Sequence, residues 1–297
     1  MQMATVQWFI KCGLTAAVLL LACGFATARF GQGLQLPSTT TRDGSLITLN
    51  RYAKEPIPDV VLVGSSLTFR LKEEYFATTN LRNLALAGGS PVTGLEIVAN
   101  QPRLPRIVLV ETNVLSRATD EVLVDRYSRK RNAEPLFLRP VRVVVASYES
   151  WLHAPVTQAQ ASSAHARLLK QPPSNFDNHV YVDRAVQQSN TEDPTVATQI
   201  NVQKIERLIF ALEQRGARVL LFQLPLSKEL EDARFAKITR GIVHAQFPDS
   251  GRWLTIDASH SELRWADGVH LDERSALIVV QSIDRAISCC SDDAKGR

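Results

Sequence analysis

The chain has 297 residues, 45% of them hydrophobic, enough to build a substantial core in one large domain or two small ones. Lys and Arg (34) barely exceed Asp and Glu (30), and the net charge of +4 is spread along the sequence rather than gathered in a tail. Such a composition argues against disorder over the main body, and its charge gives no reason to infer a nucleic acid or an acidic polymer as partner.

The N-terminus is an export segment. Lys11 precedes a charge-free apolar stretch over residues 12–26, and Ala26-Thr27-Ala28 reads as a small-x-small cleavage site. Residues 1–28 are therefore a signal peptide or, since residues 8–28 are just long enough to span a bilayer with Lys11 snorkelling to the interface, a signal anchor. Leu20-Leu21-Ala22-Cys23 is similar to a bacterial lipoprotein box, but Leu21 is larger than that motif tolerates. Cys12 and Cys23 fall in this segment, leaving the adjacent Cys289-Cys290 in the body, so no disulfide framework is implied.

Residues 29–58 are rich in Gly, Thr and Pro, lack sustained periodicity, and read as a spacer before a globular region at 59–297. Residues 59–63 predict a short strand buried on both faces, followed by a helix over 68–76. A second strand is expected at 81–87, ending in Gly88-Gly89, and a helix over 91–100 with Pro91 in its first turn. A third strand falls at 106–111. Beyond it, residues 118–194 exceed any usual connection and form an insertion, with a basic stretch (Arg126, Arg129, Lys130, Arg131), a helix over 140–152 and a polar tract over 158–163. It reads either as a solvated decoration or as a lid or docking surface. A helix over 196–215, a strand at 219–223, a helix over 228–247, a fifth strand at 253–257 and a closing helix over 273–287 complete the chain.

Strands alternating with helices imply an α/β fold: a three-layer α/β/α sandwich, flavodoxin-like, with a mostly parallel five-stranded sheet. Ligand sites in such sheets lie at the carboxyl ends of strands, where Ser66, Gly88 and Asn113 all fall. Taken singly these residues have ordinary explanations: Ser65-Ser66 caps a helix, Gly88-Gly89 and Asn113 make turns, and Asp267-Gly268-Val269-His270 is a loop with a surface histidine. Together they supply a nucleophile, a base and an orienter for the base.

In order and wording these segments resemble the SGNH (GDSL-type) hydrolases, over most of 59–287 apart from the insertion. Val63-Gly64-Ser65-Ser66-Leu67 matches the first block, and by that resemblance Ser66 is the nucleophile, with Ser65 in place of the usual aspartate. The run from Asn83 to Gly88 matches the second, which makes the Gly88 N–H an oxyanion donor. The segment ending Glu111-Thr112-Asn113 is similar to the third, although Thr112 stands near the expected glycine and Val114 replaces an aspartate; Asn113 would add a side-chain donor beside the N–H of Ser66 and Gly88. Asp267-Gly268-Val269-His270 matches the fourth, with His270 as base and Asp267 as its partner. Of the other histidines, only Asp177-Asn178-His179 offers a comparable setting. Metal-ligand spacings and a strand-linked Gly-x-Gly-x-x-Gly are absent, so no cofactor is indicated.

The resemblance implies a serine esterase or O-acyltransferase acting on acyl esters, acetyl foremost, of an extracytoplasmic carbohydrate. A membrane-embedded partner supplying the acyl group would favour transfer over hydrolysis. The altered third block motivates an alternative, a non-catalytic carbohydrate-binding or polysaccharide-assembly protein that keeps the fold; a lipolytic esterase is a further possibility.

Overall fold

A computed structural model describes residues 2–30, 41–128 and 157–292; the helix expected over 140–152, His153 and the basic residues Arg129, Lys130 and Arg131 lie outside them. Helix α1 (Gln2–Phe30) contains an 18-residue window, Thr5–Ala22, of mean hydropathy 1.6 with none of it buried. Trp8, Phe9, Leu14 and Leu21 are all exposed. Its length and composition suit a membrane span, and a signal sequence meets the same requirement.

The spacer expected over 29–58 is corrected by helix α2 (Thr41–Lys54), which belongs to the folded body. Leu46, Leu49 and Tyr52 are buried in the core, and Asn50 accepts a hydrogen bond from the Tyr127 hydroxyl at 3.3 Å. Polar residues on the inward face, Ser45 and Asn50, interrupt the apolar stripe and mask the helical period in the sequence.

Strands β1 (Val60–Val63), β2 (Leu81–Asn83), β3 (Ile107–Glu111) and β4 (Arg218–Phe222) form one parallel sheet in the order β2-β1-β3-β4. Every residue of β1 and β3 is buried, as continuous Val/Ile/Leu runs require when both faces are covered. Alternation along the strands divides the core into two layers. Val61, Val63, Val108, Val110, Val219 and Leu221 point to one face, under α2, α4 (Pro91–Ala99), α5 (Glu121–Ser128) and, beyond the insertion, the helix Thr195–Gln214. Val60, Leu62, Ile107, Leu109, Leu220 and Phe222 point to the other, under Leu277, Val280 and Ile283 of the closing helix Glu273–Asp292. Helices on both faces of a parallel sheet make an α/β fold compatible with a three-layer sandwich. Each of these side chains contributes about 1.5–3 kcal/mol through burial.

Among the described residues four strands stand where five were expected. At 253–257 only Trp253 bridges Leu221, and Leu254 N–H donates to Leu221 O at 2.8 Å. The segment then turns away, and Asp257 N–H goes to Ser282 Oγ at 2.7 Å instead of to a strand. The second strand is shorter than 81–87, although Leu84 N–H to Leu62 O and Leu86 N–H to Gly64 O prolong its ladder with β1. The helix expected over 68–76 is one α-turn, α3 (Ser66–Phe69), and a 3₁₀ turn (Glu73–Tyr75).

Within the insertion, α6 (Gln158–Leu169) carries the polar tract and α7 (His179–Thr191) follows a loop. Leu168 and Leu169 pack against the second core layer, so this part is docked on the body. Helix α8 (Thr195–Gln214) returns the chain to β4. The helix expected over 228–247 is split into α9 (Lys228–Glu231) and α10 (Arg234–Gln246), and α11 (Glu273–Asp292) closes the fold.

Candidate active site

Ser66 opens α3 directly after β1, Gly88 lies beyond β2, and Asn113 lies beyond β3. The three are thus delivered to the same edge by adjacent parallel strands. Since the chain visits β2 on one side of β1 and β3 on the other, this edge is where strand order reverses, the place at which such sheets form crevices.

His270 arrives on a hairpin: Trp265 bridges Leu271, and Ala266 N–H donates to His270 O at 2.8 Å. Gly268 turns the hairpin with φ +82°, and a Cβ there would lie 3.2 Å from Val182 and 3.3 Å from Leu230. Asp267 Oδ1 accepts from the N–H of Val269 (3.1 Å) and of His270 (2.7 Å), while Oδ2 meets His270 Nδ1 at 2.7 Å. Burial opposes ionisation of Asp267, but the bonds from the His270 ring and backbone outweigh it and hold its pKa down at about 2. An ionised carboxylate only accepts, so Nδ1 carries the ring proton. Nε2, left as acceptor, lies 2.9 Å from Ser66 Oγ. Ser66, His270 and Asp267 are accordingly joined in one hydrogen-bonded chain.

The neighbouring Ser65 is fully buried. Its hydroxyl accepts from Leu67 N–H at 3.2 Å, capping α3, and donates to Glu111 at 2.9 Å. Glu111, at the end of β3, is itself fully buried and receives Ser65 N–H (2.8 Å), Thr68 N–H (3.3 Å) and Thr68 Oγ1–H (2.7 Å). Burial pushes its carboxyl above the ordinary value, against the pull of these donors. Gly64 makes the room: a Cβ there would sit 2.4 Å from Thr68 Oγ1 and 2.7 Å from Glu111 Oε2. Sequence reasoning gave Glu111 no role, because a lone acid ending an apolar strand carries no spacing signal.

Asn83 has a larger part than marking a motif. Its Nδ2 donates to the carbonyls of Thr68 and Leu71, both at 2.7 Å, and its Oδ1 accepts from Ala85 N–H at 3.0 Å. Asn83 thereby ties the end of the single-turn α3 and the residues after it to β2. So short a helix contributes little macrodipole, and stabilisation of negative charge falls to individual donors. Gly88 is exposed with φ +80°, and a Cβ there would meet nothing within 4 Å; glycine is needed for the backbone angle rather than for space. The Asn113 amide clasps Leu224, donating to its carbonyl and accepting from its N–H, both at 2.7 Å. One of the two Nδ2 hydrogens remains for a ligand.

The rival Asp177-Asn178-His179 is a helix start. Asp177 accepts from the backbone N–H of His179 at 3.0 Å, and His179 is exposed. Asn178 instead supports the hairpin that carries His270: its Nδ2 donates to the carbonyls of Trp265 and Ala266, both at 3.1 Å, bracing that hairpin from the insertion. His165 packs edge-on to Tyr75, His244 stacks on Trp253, and His260 bonds Leu226 O. Among the described residues no group of His, Cys, Asp and Glu could hold a metal ion. A groove of about 920 Å³ lies at the opposite strand ends, lined by 55–59, 102–106 and 215–217, away from Ser66.

No protein-family model matches the chain, and no curated protein matches it at significant similarity.

Proposed function

We propose that the chain is an SGNH-type serine esterase or O-acyltransferase, exported and tethered by α1, acting on acyl esters of an extracytoplasmic carbohydrate with acetyl as the preferred group. The observation that carries this reading is the continuous hydrogen-bonded line from Ser66 through His270 to Asp267 at 2.9 and 2.7 Å. The order of the four motifs, three of them after parallel strands, supports the SGNH type, with the fifth strand reduced to a bridge.

In this mechanism Ser66 Oγ bonds the ester carbonyl carbon as its proton passes to His270 Nε2, and Asp267 stabilises the resulting imidazolium. The carbonyl oxygen becomes the oxyanion, held by the N–H groups of Ser66 and Gly88 and the remaining Asn113 amide hydrogen, each donor worth about 3 kcal/mol. Collapse breaks the bond to the leaving alkoxide, which takes the proton from His270 and leaves an acyl-serine. Water, or an acceptor hydroxyl, then attacks; its proton goes to His270 and returns to Ser66 as the acyl group departs. A membrane-embedded acyl donor would make the second half transfer rather than hydrolysis.

Fluorophosphonate labelling of the full-length protein in detergent tests the reading: wild type labels, and Ser66→Ala and His270→Ala do not. The clasped Asn113 favours one other reading, a carbohydrate-binding or assembly protein retaining the fold, for which folded wild type stays unlabelled and binds glycan equally well as Ser66→Ala.

A further inference from the structure

Three hydroxyls crowd the turn after β1, those of Ser65, Ser66 and Thr68, and only one of them faces the base. Glu111 receives the other two. It also receives the backbone N–H groups of residues 65 and 68, one on each side of the nucleophile. With its proton going to Glu111 and a lone pair taken by Leu67 N–H, the fully buried Ser65 hydroxyl has no proton left to share with His270 or a substrate. The rest of β3 is apolar, so packing alone does not call for an acid here. No Lys, Arg or His is bonded to Glu111 among the described residues; its partners are Ser65 and Thr68.

We propose that Glu111 is a positioning residue for the nucleophile, clamping the turn from both sides of Ser66 so that Ser66 Oγ alone is presented to His270. This role rests on the serine-enzyme reading above. Gly64 belongs to the same device, since any side chain there would displace the Thr68 hydroxyl and the Glu111 carboxylate together.

The test compares full-length wild type, Glu111→Gln, Thr68→Val and Thr68→Ser, measuring the rate of fluorophosphonate labelling and kcat and KM on 4-nitrophenyl acetate. An amide at 111 keeps one acceptor oxygen but turns a donor toward the Ser65 hydroxyl, which in wild type gives its proton to the carboxyl group. In Glu111→Gln, kcat and the labelling rate fall by about tenfold to a hundredfold, with KM changed by less than about twofold. Thr68→Val, nearly isosteric but lacking the hydroxyl, falls in the same direction, and Thr68→Ser recovers most of the rate. A folded Glu111→Gln with wild-type kcat overturns the role, as does Thr68→Ser falling as far as Thr68→Val. Should Glu111→Gln not fold, the Thr68 pair decides. If wild type itself fails to label, the serine-enzyme reading falls and this role with it; labelled wild type beside an unimpaired Glu111→Gln removes the role alone.

Discussion

His270 Nε2 lies 2.9 Å from Ser66 Oγ across 204 residues of sequence. Such a contact depends on the whole fold: β1 delivers the serine, and the histidine arrives only after the chain has crossed the sheet and entered the final hairpin. Groups acting as a unit are not additive in catalysis. Ser66→Ala and His270→Ala should each lower kcat by about a millionfold, and the double variant by no more, as single-turnover kinetics on an activated acetyl ester would measure.

Asp267 supports a prediction in pH. Its folded pKa, about 2, lies below the ordinary 3.8, so its contribution to stability is fully present above about pH 4 and is lost as pH falls toward 2. With its side chain 35% exposed, screening leaves a contribution of about 1 to 2 kcal/mol. Asp267→Asn should therefore be less stable than wild type by that amount near pH 7, with the gap closing near pH 2, as urea unfolding at several pH values would register. Its kcat should drop by about a hundredfold to ten-thousandfold, because the imidazole loses its tautomer.

Gly88→Ala tests the turn beyond β2. With φ at +80° and nothing within 4 Å of a Cβ, the cost comes from the backbone alone, about 1 to 2 kcal/mol. A melting point lowered by several degrees and a reduced kcat are expected together, the latter because relief of the strain turns the N–H away from the oxyanion. Gly241→Ala, with equal room but no positive φ in the middle of α10, should instead raise stability by about 0.5 to 1 kcal/mol.

Leu49, fully buried on α2, makes a fourth case. Leu49→Ala should cost about 2 to 5 kcal/mol in chemical denaturation. A form starting at residue 59 should lack a cooperative transition, whereas one starting within 31–40 should keep it.

The sequence revealed most where apolar runs are continuous. Strands β1, β3 and β4 and helices α4 and α8 fall within one or two residues of their expected bounds. The strands do so because their apolar runs are buried on both faces, and the helices because caps and spacing mark them: Pro91 opens α4, and α8 buries Val202, Ile205, Ile209 and Leu212 at helical spacing before Gly216. The residues of the hydrogen-bonded chain Ser66–His270–Asp267 were legible through short motifs whose members lie close in sequence, such as Asp267 and His270. Long-range polar contacts were hidden: Asn83 holds carbonyls 12 and 15 residues away, and Glu111 reaches Ser65 across 46. Helix α2 was missed because its buried face includes Ser45 and Asn50, and the fifth strand failed because Ser282 diverts Asp257.

The brace between insertion and hairpin sets a limit on redesign. Asn178 holds the carbonyls of Trp265 and Ala266, Gln171 O takes Arg264, and Leu169 O takes Arg274. Residues 169–182 are thus scaffolding for His270, and a chimera that exchanged the whole insertion for a short linker would discard the buttress of its own histidine.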